Sequence, residues 1–288
     1  MKDFNLSVVV VLYHPLNDFI DNIQSYCHNV RRLYIIDNSE IKNMKVIQEL
    51  KKIPNSVYID NHGNKGIAHA LNTAAVLAID EHYEWMLTMD QDSRATLPML
   101  SHMVSYIEQC GKDKEKISIV SPFHSNPYQS EAKTNEKYTE VITAMTSGCL
   151  LNLKNYQKIG AFLEEFFIDH VDHEYCLRSK IKGYSIIQVN HAILQHNVGR
   201  LKQHKLFGKQ FFSTNHSSIR SYYSFRNRIR LIQLYYKAFP KYCFDSFIRF
   251  FIDPMIVLFY EGEKRKKLKM MFLGIRDALR NKYGKFND

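Results

Sequence analysis

Five short apolar runs, Leu6–Leu12, Leu33–Asp37, Val57–Asp60, Trp85–Met89 and Ile117–Ser121, recur through the N-terminal part of this 288-residue chain. Between them lie stretches with helical spacing, from Asn17, from Gly66 to Ala78 and from Leu97 to Glu108. Such alternation predicts an α/β fold, a mostly parallel sheet flanked by helices. In sheets of that kind ligands bind beyond the carboxyl ends of the strands. The residues at those ends therefore carry most of the functional information.

The fourth run ends in Asp90-Gln91-Asp92-Ser93. Side chains alternate along a strand with period two, so Asp90 and Asp92 point the same way if strand geometry persists. Two carboxylates aimed at one point suit a hard cation, Mg²⁺ or Mn²⁺, beside a diphosphate. By itself D-x-D is more simply an acidic turn; its place in the strand–helix series favours the cation. Asp37-Asn38-Ser39 closes the second run in the same manner, so both ends converge on one cleft. Asp37 either accepts from a nucleobase or ribose or caps the turn.

Composition narrows the classes. At 45% hydrophobic residues the chain builds a core rather than a disordered coil. A net charge of +10 favours an anionic partner: a nucleotide, an acidic lipid surface or nucleic acid. Nucleic acid fits least, because the basic residues gather in the tail while the strand ends are acidic. Five scattered cysteines without a C-x-x-C pair read as reduced thiols of a cytoplasmic protein. Leu6–Tyr13 reads as a buried first strand, not a signal peptide. The nearest approach to a membrane span, Phe247–Tyr260, is broken by Arg249, Asp253 and Pro254.

Four further constellations bear on chemistry. Asn61-His62-Gly63-Asn64-Lys65-Gly66 sets two glycines before a helix, where main-chain donors favour a phosphate or base carbonyl. An ordinary glycine turn capped by Asn64 fits as well. Phe167-Ile168-Asp169-His170-Val171-Asp172-His173-Glu174 concentrates acids at a helix start; Asp172 is the one assigned to proton abstraction. His196 follows a strand-like stretch and is suited to be a third metal ligand, although a lone histidine is more often a surface or core residue. Tyr222 to Arg228 offers cations, Arg226 among them, to clamp a diphosphate; the alternative is an aromatic core with a solvated basic face.

Asn126 to Glu140 reads as an exposed loop, and Ser147-Gly148 as a close backbone approach inside a strand-like run. Past residue 210 aromatic and basic residues interleave in long helical patterns. The expected organisation is a domain over 1–235, with a nucleotide-binding half to 120 and an acceptor half from 121, and a helical extension over 236–288. Basic residues from Lys264 to Lys285 suit either an anionic lipid surface or plain solvent.

In order, Val11-Leu12-Tyr13-His14-Pro15, Ile36-Asp37-Asn38-Ser39, Asn64 to Asn72, Met89-Asp90-Gln91-Asp92-Ser93, Thr146-Ser147-Gly148, Phe167 to Glu174, His196 with Gly199, and Tyr222-Tyr223 through Arg226-Asn227 resemble the family 2 glycosyltransferases of GT-A fold. The D-Q-D-S and F-I-D-x-V-D-x-E forms are most similar to the rhamnosyltransferase-like branch. The resemblance covers about residues 6 to 230. It implies that Asp37 contacts the donor's base, that Asn64 and Gly66 shape the nucleotide pocket, and that Asp92 and His196 hold the metal with help from Asp90. It further implies that Asp172 is the general base. The chain departs from many relatives at Asn38, where they carry an acid, and at His69, where they carry a small residue; the departures bear on donor choice.

The implied reaction is inverting and uses Mg²⁺ or Mn²⁺. The donor is a nucleotide-sugar, dTDP-L-rhamnose before a UDP-hexose, and the acceptor a surface polysaccharide or lipid-linked oligosaccharide. The protein would lie in the cytoplasm, on or near the inner face of the cell membrane. Rival readings are a non-catalytic sugar or nucleotide module, and a metal-dependent nucleotidyltransferase, which leaves Asp172 without a task.

Overall fold

Leu6–Leu12 (β1) carries four valines in a row and is buried along its whole length. Both of its faces are covered, as they are in the middle of a parallel sheet. The structure, a computed structural model, describes residues 4–16, 19–27, 30–196, 201–206 and 209–287, with only the main chain of His196, Leu206 and Lys209. After β1 come α1 (Phe19–Cys27), β2 (Leu33–Asp37), α2 (Met44–Lys51), β3 (Ser56–Asp60), α3 (Ile67–Asp80), β4 (Trp85–Asp90) and β5 (Ser93–Ala95). Then follow α4 (Met99–Gln109), β6 (Ile117–Ser125), β7 (Tyr138–Glu140), β8 (Cys149–Asn152), α5 (Leu153–Ile159), α6 (Val171–Ile181) and β9 (Ser185–His196). The chain ends in β10 (Lys202–Leu206), β11 (Lys209–Ser213), α7 (Ser218–Tyr235), α8 (Pro240–Tyr260) and α9 (Lys264–Leu279).

Two compact units result, Met1–Phe162 with Tyr175–His196, and Leu163–Glu174 with Asn197–Asp288. The first holds one sheet in the order β3-β2-β1-β4-β8-β6-β9-β5, with β7 on β9. The run β3-β2-β1-β4 is parallel throughout, as the strand–helix rhythm predicts. Beyond it the sheet is mixed. Strand β8 lies antiparallel to both β4 and β6, β5 and β7 are antiparallel to β9, and only β6 and β9 are parallel. The stretch between β6 and β8 holds β7 and no helix, so it lacks the crossover a parallel strand requires. Asn126 to Glu140, expected as an exposed loop, is not wholly one, since its last three residues, Tyr138–Glu140, form β7, too short to leave a period-two signal.

One face of this sheet buries Val8, Val10, Leu12, Leu33, Ile35, Leu87 and Met89 against Ile23, Tyr26, Met99, Met103 and Ile107. Each such aliphatic contributes about 1.5–3 kcal/mol through burial. On α3 the alanines 68, 70, 74, 75 and 78 are buried and small enough for close helix-to-sheet approach. Helix α2 is capped by Asn43, whose side chain accepts from the Val46 amide.

In the second unit Gly274 of α9 lies so close to α7 that a Cβ there would sit 2.4 Å from the Tyr222 carbonyl oxygen. Phe225, Val257 and Met271 form a small core among α7, α8 and α9. Helix α7, assigned from sequence to the piece ending at 235, packs with α8 and α9 in this unit. The helical patterns expected past residue 210 begin only after β11, which pairs antiparallel with β10 and ends at Ser213.

Candidate active site

The register of the parallel strands lines up their carboxyl ends. Leu12 pairs with Asp37, Asp37 with Asp60, and Val11 with Asp90. Asp37 and Asp90 thus stand two strands apart, about 10 Å along the sheet edge. Asp37 is fully buried. Its carboxylate accepts from the Ser39 amide and from the Tyr58 hydroxyl, each at 2.8 Å, and Lys42 Nζ lies 3.5 Å away. Lys42 reaches Asp60 at 2.6 Å and holds that carboxyl below its usual range. Burial, then the bond to Asp37, pushes the Tyr58 phenol well up. Asp37 is therefore first a turn-builder, through an Asx turn of the kind such residues favour.

Asn38 ties this turn to the glycine loop. Its amide donates to the Gly66 carbonyl at 3.0 Å and its oxygen accepts from Asn61 at 2.7 Å. Asn64 accepts from the Gly66 amide at 2.9 Å. Gly66 is the N-cap of α3 with φ 91°, a backbone conformation that side-chain-bearing residues rarely adopt. The helix starts without a side-chain cap, so its N-terminal dipole suits a phosphate or base carbonyl. Asp37, Asn64 and Gly66 are thus gathered by one hydrogen-bonded network, in which Asn38 is the link.

Strand β4 ends at Asp90, and Gln91 and Asp92 form a turn before β5. Period-two alternation does not reach Asp92, so a shared direction for the two acids does not follow from strand geometry. What fixes them is a set of anchors. The Asp90 amide donates to Ser147 Oγ at 3.0 Å, and Ser147 Oγ donates to Ser93 Oγ at 2.8 Å. Gln91 bonds twice to the Tyr13 main chain, and its own carbonyl accepts from Asn22 of α1 at 3.3 Å. Gly148, at φ 80°, lets the Ser147 segment in; a Cβ there would meet Leu194 and Pro122 at 2.8 Å. The close approach expected at Ser147-Gly148 is present.

Both acids are half-buried and act on one phenol. Burial raises the Tyr26 hydroxyl well above its usual range, and Cys27, Asp90 and Asp92 raise it further. That hydroxyl is buried without a hydrogen-bond partner. Two carboxylates sharing one flank supply the hard oxygen donors that Mg²⁺ or Mn²⁺ prefers. Ser93 pairs with His196 across β5 and β9, which sets the main chain of His196 next to the residue after Asp92. Among the described residues no group of three or more His, Cys, Asp or Glu side chains stands ready as a metal cluster. The His196 side chain and Gly199 lie outside the described residues. The donor set fits a divalent ion on its carboxylate side.

Asp172 belongs to the second unit, in the first turn of α6, and is half-buried. The turn that delivers it is strained: Phe167, Asp169 and His170 have φ of 63°, 62° and 64°. The Ile168 amide donates to the Phe166 carbonyl at 2.7 Å, closing a three-residue turn. Asn227 compensates, its amide lying 2.8 Å from the carbonyls of Phe166, Ile168 and Asp169. Arg226 is 1% exposed, and its guanidinium donates to the carbonyls of Glu165, Phe166 and Gly284. It is a positioning group for this turn; its donors are spent on these carbonyls and, from Nε, on the Asn227 side-chain oxygen at 2.9 Å, not presented to a diphosphate. Arg220 pairs with Asp169.

From sequence, Tyr58, Lys42 and Tyr26 have no part in the site, and Ser147, Gln91 and Asn227 stand only as members of motifs, without a role. Ser147 carried a weak signal through its glycine neighbour, and Asn227 through its place in the Tyr-Tyr to Arg-Asn run. The others depend on contacts between segments distant in the chain. Among the described residues no disulfide joins any of the five cysteines.

Comparison with known proteins supplies the frame. A family model described as Glycosyl transferase family 2 matches residues 7–178, more than half of the chain and a span that includes Asp37, Asn64, Gly66, Asp90, Asp92 and Asp172. The dTDP-rhamnosyl transferase RfbF of Shigella flexneri is 26% identical over 246 residues, 80% of this chain and 80% of that protein. S. aureus TarS 1–349 in complex with UDP-GlcNAc superposes with a TM-score of 0.62 at 12% identity, over 96% of this chain and 81% of that one. GalNAc-T7 with UDP, GalNAc and Mn²⁺ gives 0.60 at 12%, over 83% of this chain; the match spans half the length of that one. The fold is that of the GT-A glycosyltransferases.

Proposed function

This chain belongs to glycosyl transferase family 2 and is a glycosyltransferase of rhamnosyltransferase-like type; from that premise we propose that it moves L-rhamnose from dTDP-L-rhamnose to a hydroxyl of a surface polysaccharide or lipid-linked oligosaccharide. The observation that carries the reading is one sheet edge on which the Asp37–Asn38–Gly66 network and the Asp90–Asp92 turn stand two strands apart, at the ends of parallel strands. A nucleotide-sugar has a base, a diphosphate and a sugar, and that edge offers a separate partner for each of the first two.

In this reading the Asp37–Asn38–Gly66 network walls the base side, with Asn64 shaping its loop, and the α3 dipole faces phosphate. Asp90, Asp92 and His196 would hold the divalent cation, which when bound supplies the charge that offsets the departing diphosphate. Asp172 takes the proton of the acceptor hydroxyl as that oxygen attacks the anomeric carbon. The bond from that carbon to the diphosphate breaks on the opposite face, so the anomeric configuration inverts. The exposed basic residues between Lys264 and Lys285, which leave out the buried Lys267, face an anionic lipid surface on which the acceptor is presented.

The test is a panel of dTDP-L-rhamnose, UDP-glucose and UDP-GlcNAc, scored with Mn²⁺ for thermal stabilisation and donor hydrolysis. The rhamnose donor should give the largest shift. A larger shift with a UDP-hexose would replace the donor assignment, and no response to any donor would favour a non-catalytic module.

A further inference from the structure

Helix α8 wears its apolar side outward. Phe244, Phe247, Ile248, Phe251, Ile252, Met255, Leu258 and Phe259 are all exposed, with Phe244, Phe251 and Phe259 at 62%, 64% and 61%. At about 100° per residue they fill an arc of roughly 140°, and they run about 22 Å along the helix. No Asp or Glu interrupts that arc. The opposite side is fixed inward: Cys243 and Val257 are buried, and Asp253 pairs with the nearly buried Arg228 at 2.8 Å. Rolling the helix to hide its phenylalanines would strand that ion pair, so the stripe has to stay outside. Exposed apolar surface of this extent marks an interaction face.

Charge at the two ends of the stripe identifies what covers it. Lys241 opens the helix, and Lys264, Arg265 and Lys266, all exposed, begin α9 just after the stripe ends. Cations in a first helical turn oppose the helix dipole, so they do not serve α9 itself. Residues 236–288 hold twelve Lys and Arg against six Asp and Glu. Two such faces brought together would repel each other, whereas an anionic bilayer attracts them and accepts the phenylalanines. Among the described residues no helix is long and apolar enough to cross a membrane.

We infer that the Phe244–Phe259 face of α8 lies in the interface of an anionic bilayer, apolar side down, with the basic ends of α8 and α9 on lipid headgroups. The inference rests on the anionic-lipid reading of the basic residues and adds to it an inserted apolar face. It would hold this glycosyltransferase where a lipid-linked acceptor is found.

Phosphatidylcholine vesicles with and without phosphatidylglycerol, at physiological ionic strength, provide the probe. The protein should sediment with the anionic vesicles. A Phe251→Trp variant should shift its emission to the blue and be quenched by brominated acyl chains; the single native tryptophan, Trp85, is buried and stays silent. Phe247→Ser with Phe251→Ser should weaken vesicle binding by at least about tenfold, while helicity and donor hydrolysis stay unchanged. Sedimentation without quenching would leave the basic surface standing and overturn the inserted stripe. A lipid-free dimer abolished by the same double substitution would overturn it in favour of a second copy. No vesicle binding at all would remove both, and leave the donor chemistry untouched.

Discussion

Gln91 and Tyr13 hold each other by two bonds: the Tyr13 amide donates to Gln91 Oε1 at 2.9 Å, and Gln91 Nε2 donates to the Tyr13 carbonyl at 3.0 Å. The residue between the two acids thus ties their turn to the loop leaving β1. Both bonds are near solvent, so Gln91→Ala should cost only about 1 kcal/mol in stability. Its larger effect should be on transfer, through a several-fold rise in the Mn²⁺ concentration needed for half-maximal rate. Unchanged cation dependence in a folded variant would show that the tether does not matter to the site.

Removing the proton acceptor should be far costlier. Asp172→Asn keeps the shape of the first turn of α6 and removes the base, so turnover should fall by about 10²–10⁴-fold with donor affinity retained. Asn227→Ala, by releasing the three carbonyls that brace the turn, should lower kcat more than it alters donor KM. Near-normal turnover in Asp172→Asn would reject the base assignment.

The carboxylate pair makes a different prediction. Asp92→Ala should abolish divalent-dependent transfer and eliminate the thermal shift that Mn²⁺ adds in the presence of donor. Excess EDTA should stop the native protein, and added Mn²⁺ should restore it. Transfer that is insensitive to EDTA would dismiss the cation from the reaction.

The parallel half of the sheet was legible because every residue type in it agrees with one period: β1 is β-branched and buried, α3 is alanine-rich and opened by Gly66. The acids at strand ends followed from the same rhythm. Arg226 was not legible, since a guanidinium on a helix looks alike in sequence whether it meets solvent or three carbonyls. Nor were the bonds of Tyr58 and Gln91, whose partners lie 21 and 78 residues away, although Gln91 stood inside a recognised motif. Strand β7 has three residues, too few for any period to register.

Gly148 tests how tightly the Ser147 segment is seated. Its φ of 80° and the 2.8 Å approach of a Cβ to Leu194 and Pro122 combine backbone strain with overpacking. Gly148→Ala should therefore destabilise by about 2–4 kcal/mol. Urea unfolding measures it, and a change under about 0.5 kcal/mol would mean that the segment yields. Ser147→Ala, which removes only the bridge to Asp90 and Ser93, should cost less and act mainly on transfer.

Two histidines of the second unit should make stability depend on pH. Burial, aided by Arg220, lowers His216 to about 4, and burial, His173 and Arg228 hold His170 well below the usual range. Between pH about 4 and about 6.5 the unfolded chain binds protons that the folded chain refuses, so stability rises with pH through that window and is fully present above it. The slope is at most about 1.4 kcal/mol per pH unit for each histidine, less where solvent screens the partly exposed His216. Urea midpoints at about pH 5 and about pH 7.5 should differ in that direction. His216→Asn should narrow the gap, because asparagine takes up no proton in either state. A gap as wide in that variant as in the native protein would place the acid sensitivity elsewhere.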